Sequence, residues 1–358
     1  MNRLRQSLIN SLFPALLVLV CITVVHFFAE PFQVRVAYVF FMNLTIAIGL
    51  QIFMGNTGIV SFGHISFMGI GSYAVAILTI PLAMKRILIP DAPFGLAYVH
   101  LSIFPACVVA IAFTVLIATL FGFVLKRLTG NAAEILTLAL LVITHVVFIA
   151  WIDLFRGPRA LYGIPIVSTL YWAGAAAIVA IVIAKAFRDS EGGLQLRASS
   201  ENLLAARAMG VPVEKLRFRA WILSSGVVAM GGILHATFLG TVGPNSYYFD
   251  QTFLIMAMVI LGGMRSVSGA IIGTALVAAG SELARTLENG PVIFGEKLPT
   301  MFGLTGFFLG AVIVLSMILR RDGIMGDDEF EDVFHRWMRR RKEENSGKPS
   351  AVSTSSAS

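Results

Sequence analysis

"VAYVFFMNLTIAIGLQIFMGNTGIVSFGHISFMGIGSYAVAILTIPLAM", residues 36–84, is a run of 49 residues without Asp, Glu, Lys or Arg. A helix that crosses a bilayer needs roughly 20 residues, so this run is long enough for two crossings. Its middle, "GNTGIVSFGHISFMGIGSY" at 55–73, is rich in glycine and small polar residues. Such residues weaken a helix, and at membrane depth irregular backbone is tolerated only inside protein or along a watery path. The stretch therefore predicts the interior of a helical membrane bundle.

The rest of the chain has the same membrane character. Of its 358 residues, 57% are hydrophobic and 13% are charged, whereas soluble domains carry about 25% charged residues. Two short apolar runs, 251–264 and 266–281, flank the glycine-rich "GGMRS" at 262–266. The other uncharged runs of spanning or near-spanning length are 6–29, 101–125, 135–152, 160–184, 220–249 and 298–319. We expect an all-α, polytopic helical membrane bundle of roughly eight to ten transmembrane helices, with a re-entrant or broken segment near 251–281.

Charge divides the chain into a membrane domain, 1–321, and a polar tail, 322–358. The net charge of +7 does not indicate nucleic acid, because Lys and Arg collect in cytoplasmic loops of membrane proteins. By that rule the basic loop 197–219 and both termini are cytoplasmic, while Lys85, Arg86, Arg156 and Arg159 are exceptions outside. In the tail, the spacing of apolar residues predicts an amphipathic helix at about 328–342, near a bilayer or partner surface, followed by a disordered end.

The loop 188–218 is the most polar part of the chain before the tail. Its pattern predicts a helix at 201–209 that is capped by Ser199 or Ser200 and ended by Gly210 and Pro212. A second helix is expected from Val213 into the next span. A short helix of this kind either contacts a cytoplasmic partner or is an ordinary solvated connector, and its pattern alone fits both.

Three stretches resemble the permeases of branched-chain amino-acid (LivM-type) ABC importers. "SEGGLQLRASSENLLAARAMGV" at 190–211 is similar to the family's coupling segment, and "TGIVSFGHISFMGIGSYAVA" at 57–76 to its Ser-Phe-Gly-His segment. "GGMRSVSG" at 262–269 is similar to its Gly-Gly-x-x-Ser-x-x-Gly break. The resemblance covers most of 42–279. It departs at Ser199-Ser200, where the family has Ile-Arg, and in "FRGPRALYGIP" at 155–165.

The resemblance implies a permease subunit in a bacterial plasma membrane that moves solute by alternating access. Its partners would be a second homologous permease, two cytoplasmic ATPase subunits and an extracytoplasmic solute-binding protein. The solute would be leucine, isoleucine or valine, or a similar small amino acid or an amide such as urea. The residues implied in coupling to the ATPase are Arg197, Glu201, Ala205, Ala206, Met209 and Gly210.

No cofactor is expected in this chain. The phosphate-binding motif G-x-x-x-x-G-K-[ST] does not occur in it, so ATP would be bound by the partner subunits. No pattern of closely spaced histidines supports a metal site, and no catalytic constellation indicates an enzyme.

The opening stretch supplies the candidates for the translocation path. We expect residues 55–58 to break the helix, while Gly63, Ser66, Gly69 and Ser72 keep to about half of a following helix. The candidates that line the path are Asn43, Asn56, Ser61, His64 and Ser66. The alternative for His64 is a hydrogen bond across helices or to a freed carbonyl.

Other functions stay open on the residues alone. Urea, an amide or a sugar is an alternative solute within the same family. An ion-coupled secondary transporter is an alternative of another class, and Glu282, Arg285 and Glu288 would then be its candidate coupling site. The alternative for these three is a local salt-bridged face at the membrane edge.

Overall fold

The computed structural model describes residues 2–290, 292–293, 296–297, 303–319 and 323–331. It confirms an all-α membrane bundle. The helices are α1 (Asn2–Phe28), α2 (Pro31–Thr57), α3 (His64–Thr79), α4 (Leu82–Leu88), α5 (Ile103–Leu125), α6 (Asn131–Ala150), α7 (Ile152–Phe155), α8 (Leu170–Asp189), α9 (Glu191–Glu201), α10 (Leu203–Ala208), α11 (Val213–Leu239), α12 (Phe249–Gly262), α13 (Val267–Glu288) and α14 (Leu304–Leu319). The described ranges also hold two 3-10 helices, Pro93–Tyr98 and Pro244–Tyr247. Two short antiparallel strand pairs join β1 (Leu161–Tyr162) to β2 (Thr241–Val242) and β3 (Val292–Ile293) to β4 (Glu296–Lys297).

Six helices in the described ranges are long and apolar enough to cross a membrane: α2, α5, α6, α8, α11 and α13. The pair α3 and α4 would be a seventh span, bent by 119°. The bend lies at Pro81, because the residue before a proline is pushed to extended backbone, as Ile80 is here. These six or seven spans in the described ranges are fewer than the roughly eight to ten transmembrane helices expected, because α12, with 14 residues, and α14, with 16, are too short to be counted.

Helix α2 lies at the centre of the bundle. Its most apolar window is 78% buried, against 28% for α5 and 33% for α6. It packs on α8, α11 and α13, while α5 and α6 present much of their apolar surface outward. We call the end of the bundle that carries α9 and α10 the loop end, and the end that carries β1 and β2 the opposite end.

The stripe of small residues in α3 is divided between two neighbouring helices, α6 and α11. A Cβ added to Gly63 would lie 2.6 Å from the carbonyl oxygen of Thr137 in α6. A Cβ added to Gly232 of α11 would lie 2.1 Å from the carbonyl oxygen of Met68, so the two backbones are in direct contact. Ser72 Oγ donates to the carbonyl of Gly232 at 2.7 Å. Small residues permit such close crossings in membranes, where no hydrophobic driving force pulls helices together.

The expected break near 251–281 is a turn at residues 263–266 between α12 and α13. The two helices pack antiparallel, because Gly262 lies against Gly269 and Gly273 lies against Met258 and Gly262. A Cβ on Gly273 would be only 1.9 Å from the carbonyl oxygen of Met258. Glycine is therefore required at this crossing, and the segment is a tight helical hairpin.

We expect Gly273→Ala to destabilise the hairpin, because overpacking a tight interior costs about 1–3 kcal/mol. Gly310→Ala in α14 is the matched control, since a Cβ there would meet nothing within 4 Å. Alanine is the better helix former, so the control should keep or raise the Tm. Thermal unfolding of the purified protein in detergent measures both. Equal Tm values for the two variants would contradict this crossing.

Candidate coupling and translocation site

The break in the opening stretch begins at Gly58, whereas the sequence predicted that it would begin at Gly55. Gly55, Asn56 and Thr57 form the last turn of α2, because the Asn56 and Thr57 side chains donate to carbonyls four residues earlier, at 2.8 Å each. Gly58 ends the helix with a φ of 68°, a conformation that favours glycine. The irregular backbone therefore runs from Gly58 to Gly63, and α3 starts at His64.

His64 lies buried at the start of α3 and joins three parts of the chain. Its Nδ1 is 2.7 Å from Ser61 Oγ in the break, and its Nε2 is 2.7 Å from Ser224 Oγ in α11. The rings of Phe53, Phe67 and Trp221 surround the imidazole, with centroids 4.8–5.9 Å away. The hydrogen bond across helices that was one expectation for His64 is present. Its contact with solute stays a prediction.

The remaining candidates for the path are separated along α2 and α3. Asn43 accepts a hydrogen bond from Gln251 Nε2 of α12 at 3.3 Å. Ser66 Oγ is buried and has no hydrogen-bond partner among the described residues. The structure thus brings Ser61 and His64 together, but Asn43 lies 13 residues before Asn56, roughly 20 Å along the helix.

A cavity of about 390 Å³ opens between α5, α8 and α11. Its walls are apolar apart from the hydroxyls of Ser168 and Thr237, which hydrogen-bond to each other at 2.5 Å. None of the five candidates for the path lines it.

The loop between α8 and α11 holds two helices where one was expected. The predicted helix at 201–209 is α10, which is shorter and is capped by Asn202, whose side chain accepts from the amide of Ala205 at 3.0 Å. Ser199 and Ser200 lie inside α9, and their hydroxyls donate to carbonyls three residues earlier. The prediction that either serine caps the helix is wrong, because Ser190 and Asn202 take those positions. We call α9 and α10, Glu191–Ala208, the coupling segment.

The helix α10 presents an apolar surface outward. Leu204 is 79% exposed and Met209, its C-terminal cap, is 84% exposed. Ala205 is exposed between them, whereas Ala206 is turned inward and buried. Gly210 ends this surface with a φ of 78°, and α11 starts at Val213 as expected.

Arg197 connects the coupling segment to the central helix. Its Nη1 donates to Asn56 Oδ1 at 3.0 Å and to the carbonyl of Arg188 at 2.9 Å. A candidate for coupling and a candidate for the path are therefore in direct contact, although 141 residues separate them in sequence. Burial and the nearby Arg188 guanidinium lower the pKa of Arg197 to about 10, while Asp189 and Glu329 oppose the shift. The side chain stays charged at neutral pH.

Glu201 ties the end of α9 to the turn between α12 and α13. It forms an ion pair with Arg265, which also lies 3.7 Å from Asp327. The same turn touches α2, since Gln51 Nε2 donates to the carbonyl of Met264 at 3.3 Å. A Cβ on Gly55 would lie 2.2 Å from that carbonyl oxygen.

The coupling segment, the end of α2 and the α12–α13 turn are thus one contiguous contact region. The sequence did not identify Arg265 in this turn or Arg188 beside it as part of the site, and it did not identify Ser224 of α11 as the partner of His64. The only signal for the two arginines was their position beside apolar runs.

The acidic residues near the end of α13 contact only neighbouring parts of the chain. Glu282 and Arg285 form an ion pair at 3.5 Å, as one of the two expectations had it. Glu288 does not join that pair, because it accepts from the amides of Gly303 at 2.8 Å and Thr305 at 3.3 Å at the start of α14. No group of three or more metal-ligating side chains occurs in the ranges that the structure describes.

The start of the polar tail packs on the loop end. Residues 328 and 329 are not helical, and helical backbone begins at Phe330, so the predicted helix at 328–342 starts later. The rest of that helix and the predicted disordered end lie outside the described residues.

Comparison with known proteins gives consistent results. The family model described as the permease component of branched-chain amino acid transport systems matches residues 32–317. The high-affinity branched-chain amino acid permease LivM of Escherichia coli K12 is 21% identical over 336 residues, 83% of this chain and 72% of its own length. The probable permease LivH of Methanocaldococcus jannaschii is 30% identical over 143 residues, 38% of this chain and 41% of LivH.

A relative whose name gives another solute also matches. The autoinducer 2 import permease LsrC of Salmonella paratyphi B is 31% identical over 103 residues, 28% of this chain and 30% of LsrC. No solved structure matches the chain.

Proposed function

The chain belongs to the family of permease components of branched-chain amino acid transport systems, and on that premise we propose that it imports small amino acids through ATP hydrolysis by partner subunits. It is a transport protein of the ABC type and a multi-pass membrane protein, not an enzyme. The proposed assembly pairs it with a second homologous permease, two ATPase subunits that bind ATP, and a solute-binding protein. In a bacterial plasma membrane, the loop end and both termini would be cytoplasmic.

The exposed surface of α10 carries the proposal for the ATPase contact. Leu204, Ala205 and Met209 present apolar side chains to the outside at a loop that is otherwise polar. Exposed apolar patches with a polar rim mark surfaces that bind other proteins. A short helix of this kind fits a groove on a partner subunit through its apolar face.

Contacts within the loop end supply the path for the motion. A displacement of α10 moves α9, which is joined to α2 by Arg197–Asn56 and to the α12–α13 turn by Glu201–Arg265. The end of α2 continues into the irregular backbone 58–63 and the Ser61–His64–Ser224 contacts with α11. Closure of the ATPase pair would thereby shift α2, α3 and α11 against one another, which is alternating access.

The solute proposal is leucine, isoleucine or valine. It rests on the family and on two relatives that are named as branched-chain amino acid permeases, LivM and LivH. A sugar-type solute is the second candidate, since the chain also matches LsrC over 103 residues.

Uptake in cells tests the solute. The gene, with its partner subunits, is introduced into cells that lack their own leucine, ribose and urea importers. We expect saturable uptake of labelled leucine that excess valine blocks and excess ribose or urea does not. Uptake of ribose or urea without leucine uptake would contradict the amino-acid proposal and leave the permease family assignment intact.

A further inference from the structure

Residues 323–331, which we call the tail clamp, follow the last residue matched by the family model yet pack tightly on the loop end. The amides of Ile324 and Met325 donate to the carbonyls of Leu261 and Gly262 at 3.0 Å each. A Cβ on Gly323 would lie 2.4 Å from Gly263 Cα, and its φ of 76° suits glycine. The clamp is therefore attached to the end of α12 by backbone contacts.

Glu329 is the centre of the tail clamp. It is 2% exposed, and it is the one buried acidic residue among those that the structure describes. Its carboxylate accepts from the amides of Val267 at 2.9 Å and Ser268 at 3.0 Å, in the first turn of α13. A carboxylate is stabilised there because the amino end of a helix carries partial positive charge.

Two cations of α8 complete the surroundings of Glu329. Lys185 Nζ lies 3.8 Å and Arg188 Nε 3.1 Å from its carboxylate oxygens. Lys185 also pairs with Glu331 at the end of the clamp. Removing one partner of a buried pair leaves an uncompensated charge, which is strongly destabilising. The clamp therefore fixes the end of α8 to the start of α13.

One of the cations that contact Glu329, Arg188, also contacts the coupling segment. Arg188 accepts from Arg197 through its carbonyl at 2.9 Å, and its Nε lies 3.3 Å from the carbonyl oxygen of Arg265. Arg265 in turn pairs with Glu201 at the end of α9. Glu329 does not need to touch α9 to position it, because Arg188 and Arg265 connect them.

We propose that the tail clamp positions the coupling segment and that Glu329 is its positioning residue, acting through Arg188. The inference rests on the proposed function only because that function gives Glu191–Ala208 its role in coupling. The contacts themselves are the same for any solute. The tail clamp thus acts together with the coupling segment, although it lies outside the part of the chain that matches the family.

Hydrogen exchange of the full chain in lipid nanodiscs tests the proposal without any transport assay. We expect Glu329→Gln to raise exchange at least about fivefold in peptides from both the clamp and α9, since losing these contacts favours local opening. Glu282→Gln is the matched control, because it breaks an ion pair at the other end of α13 and should leave α9 unchanged. Glu329→Asp keeps the charge and should restore most of the protection of α9.

The outcomes separate positioning from anchoring. Faster exchange in the clamp with unchanged exchange in α9 would overturn the proposal and make the clamp an anchor only. Unchanged exchange in both would overturn the buried contacts themselves. If Glu329→Gln does not fold, Glu331→Gln removes one partner of Lys185 and should loosen α9 to a smaller extent, and no change in α9 would again overturn the proposal. A wild-type chain that imports no leucine would overturn the proposed function and leave this result standing.

Discussion

Ala205→Glu is expected to abolish uptake, with a fall of at least about 100-fold, while the chain still folds and inserts. Ala205 is exposed on α10 between Leu204 and Met209, so the substitution adds nothing to the interior of the bundle. In the proposed complex, however, the new carboxylate would be buried against a partner without a counter-charge. An unpaired buried charge costs about 3–5 kcal/mol, and each 1.4 kcal/mol is a factor of ten in binding.

The measurement is leucine uptake by cells that contain equal amounts of variant and wild-type chain in the membrane. Ala132→Glu is the matched control, because Ala132 is also exposed and lies in the first turn of α6, where negative charge suits the helix end. We expect the control to transport normally. Normal uptake by Ala205→Glu would show that α10 contacts no partner, and the ordinary solvated connector would then be the correct interpretation of this loop.

Arg197→Met is expected to uncouple ATP hydrolysis from transport. Methionine keeps an unbranched, flexible side chain but removes the donor to Asn56 Oδ1 and to the carbonyl of Arg188. The end of α2 would then no longer follow the coupling segment. We expect uptake per ATP hydrolysed to fall by roughly tenfold or more, since hydrogen bonds from charged groups contribute about 1.5–3 kcal/mol.

A double-mutant cycle assigns this loss to the Arg197–Asn56 contact. If the two side chains act through each other, Asn56→Leu combined with Arg197→Met should be no worse than the worse single variant. Arg285→Met is the control, since Arg285 is exposed near the far end of α13. Additive losses in the double variant would contradict the contact as the route of coupling.

Features that follow from local pattern were predictable from the sequence. The uncharged runs indicated the spans, because charge at membrane depth is costly. Small residues at every third position indicated that α3 lies in the interior of the bundle, and "GGMRS" indicated the break between α12 and α13. Gly210 and Pro212 indicated where α10 ends and α11 begins.

The exact ends of the helices were not predictable, because several side chains compete to cap the same helix end. Ser199, Ser200 and Asn202 all have cap-forming side chains, and only the folded chain shows that Asn202 caps α10. Gly55–Gly58 contains four residues suited to a break, yet Gly55, Asn56 and Thr57 continue α2, and the side chains of Asn56 and Thr57 bond to carbonyls of the same helix. Capping strengths of Ser and Asn are similar, so the sequence has no means of ranking them.

Contacts between segments that are distant in sequence were also not predictable. The sequence does not distinguish Glu329 from its acidic neighbours Asp327 and Asp328. Only Glu329 of the three is buried, against the start of α13. The contact of Arg197 with Asn56 joins a residue expected in coupling to one expected on the translocation path. Both contacts depend on how α2, α8, α9 and α13 pack in three dimensions.

Reconstitution tests the central claim most directly. The chain is placed in liposomes with a second permease, ATPase subunits and a solute-binding protein, and labelled leucine uptake is measured with ATP, with a non-hydrolysable ATP analogue, and with an imposed proton or sodium gradient. We predict uptake with ATP alone, and none when the ATPase subunits are left out. Gradient-driven leucine uptake by liposomes that contain this chain without ATPase subunits would contradict the account and identify an ion-coupled transporter.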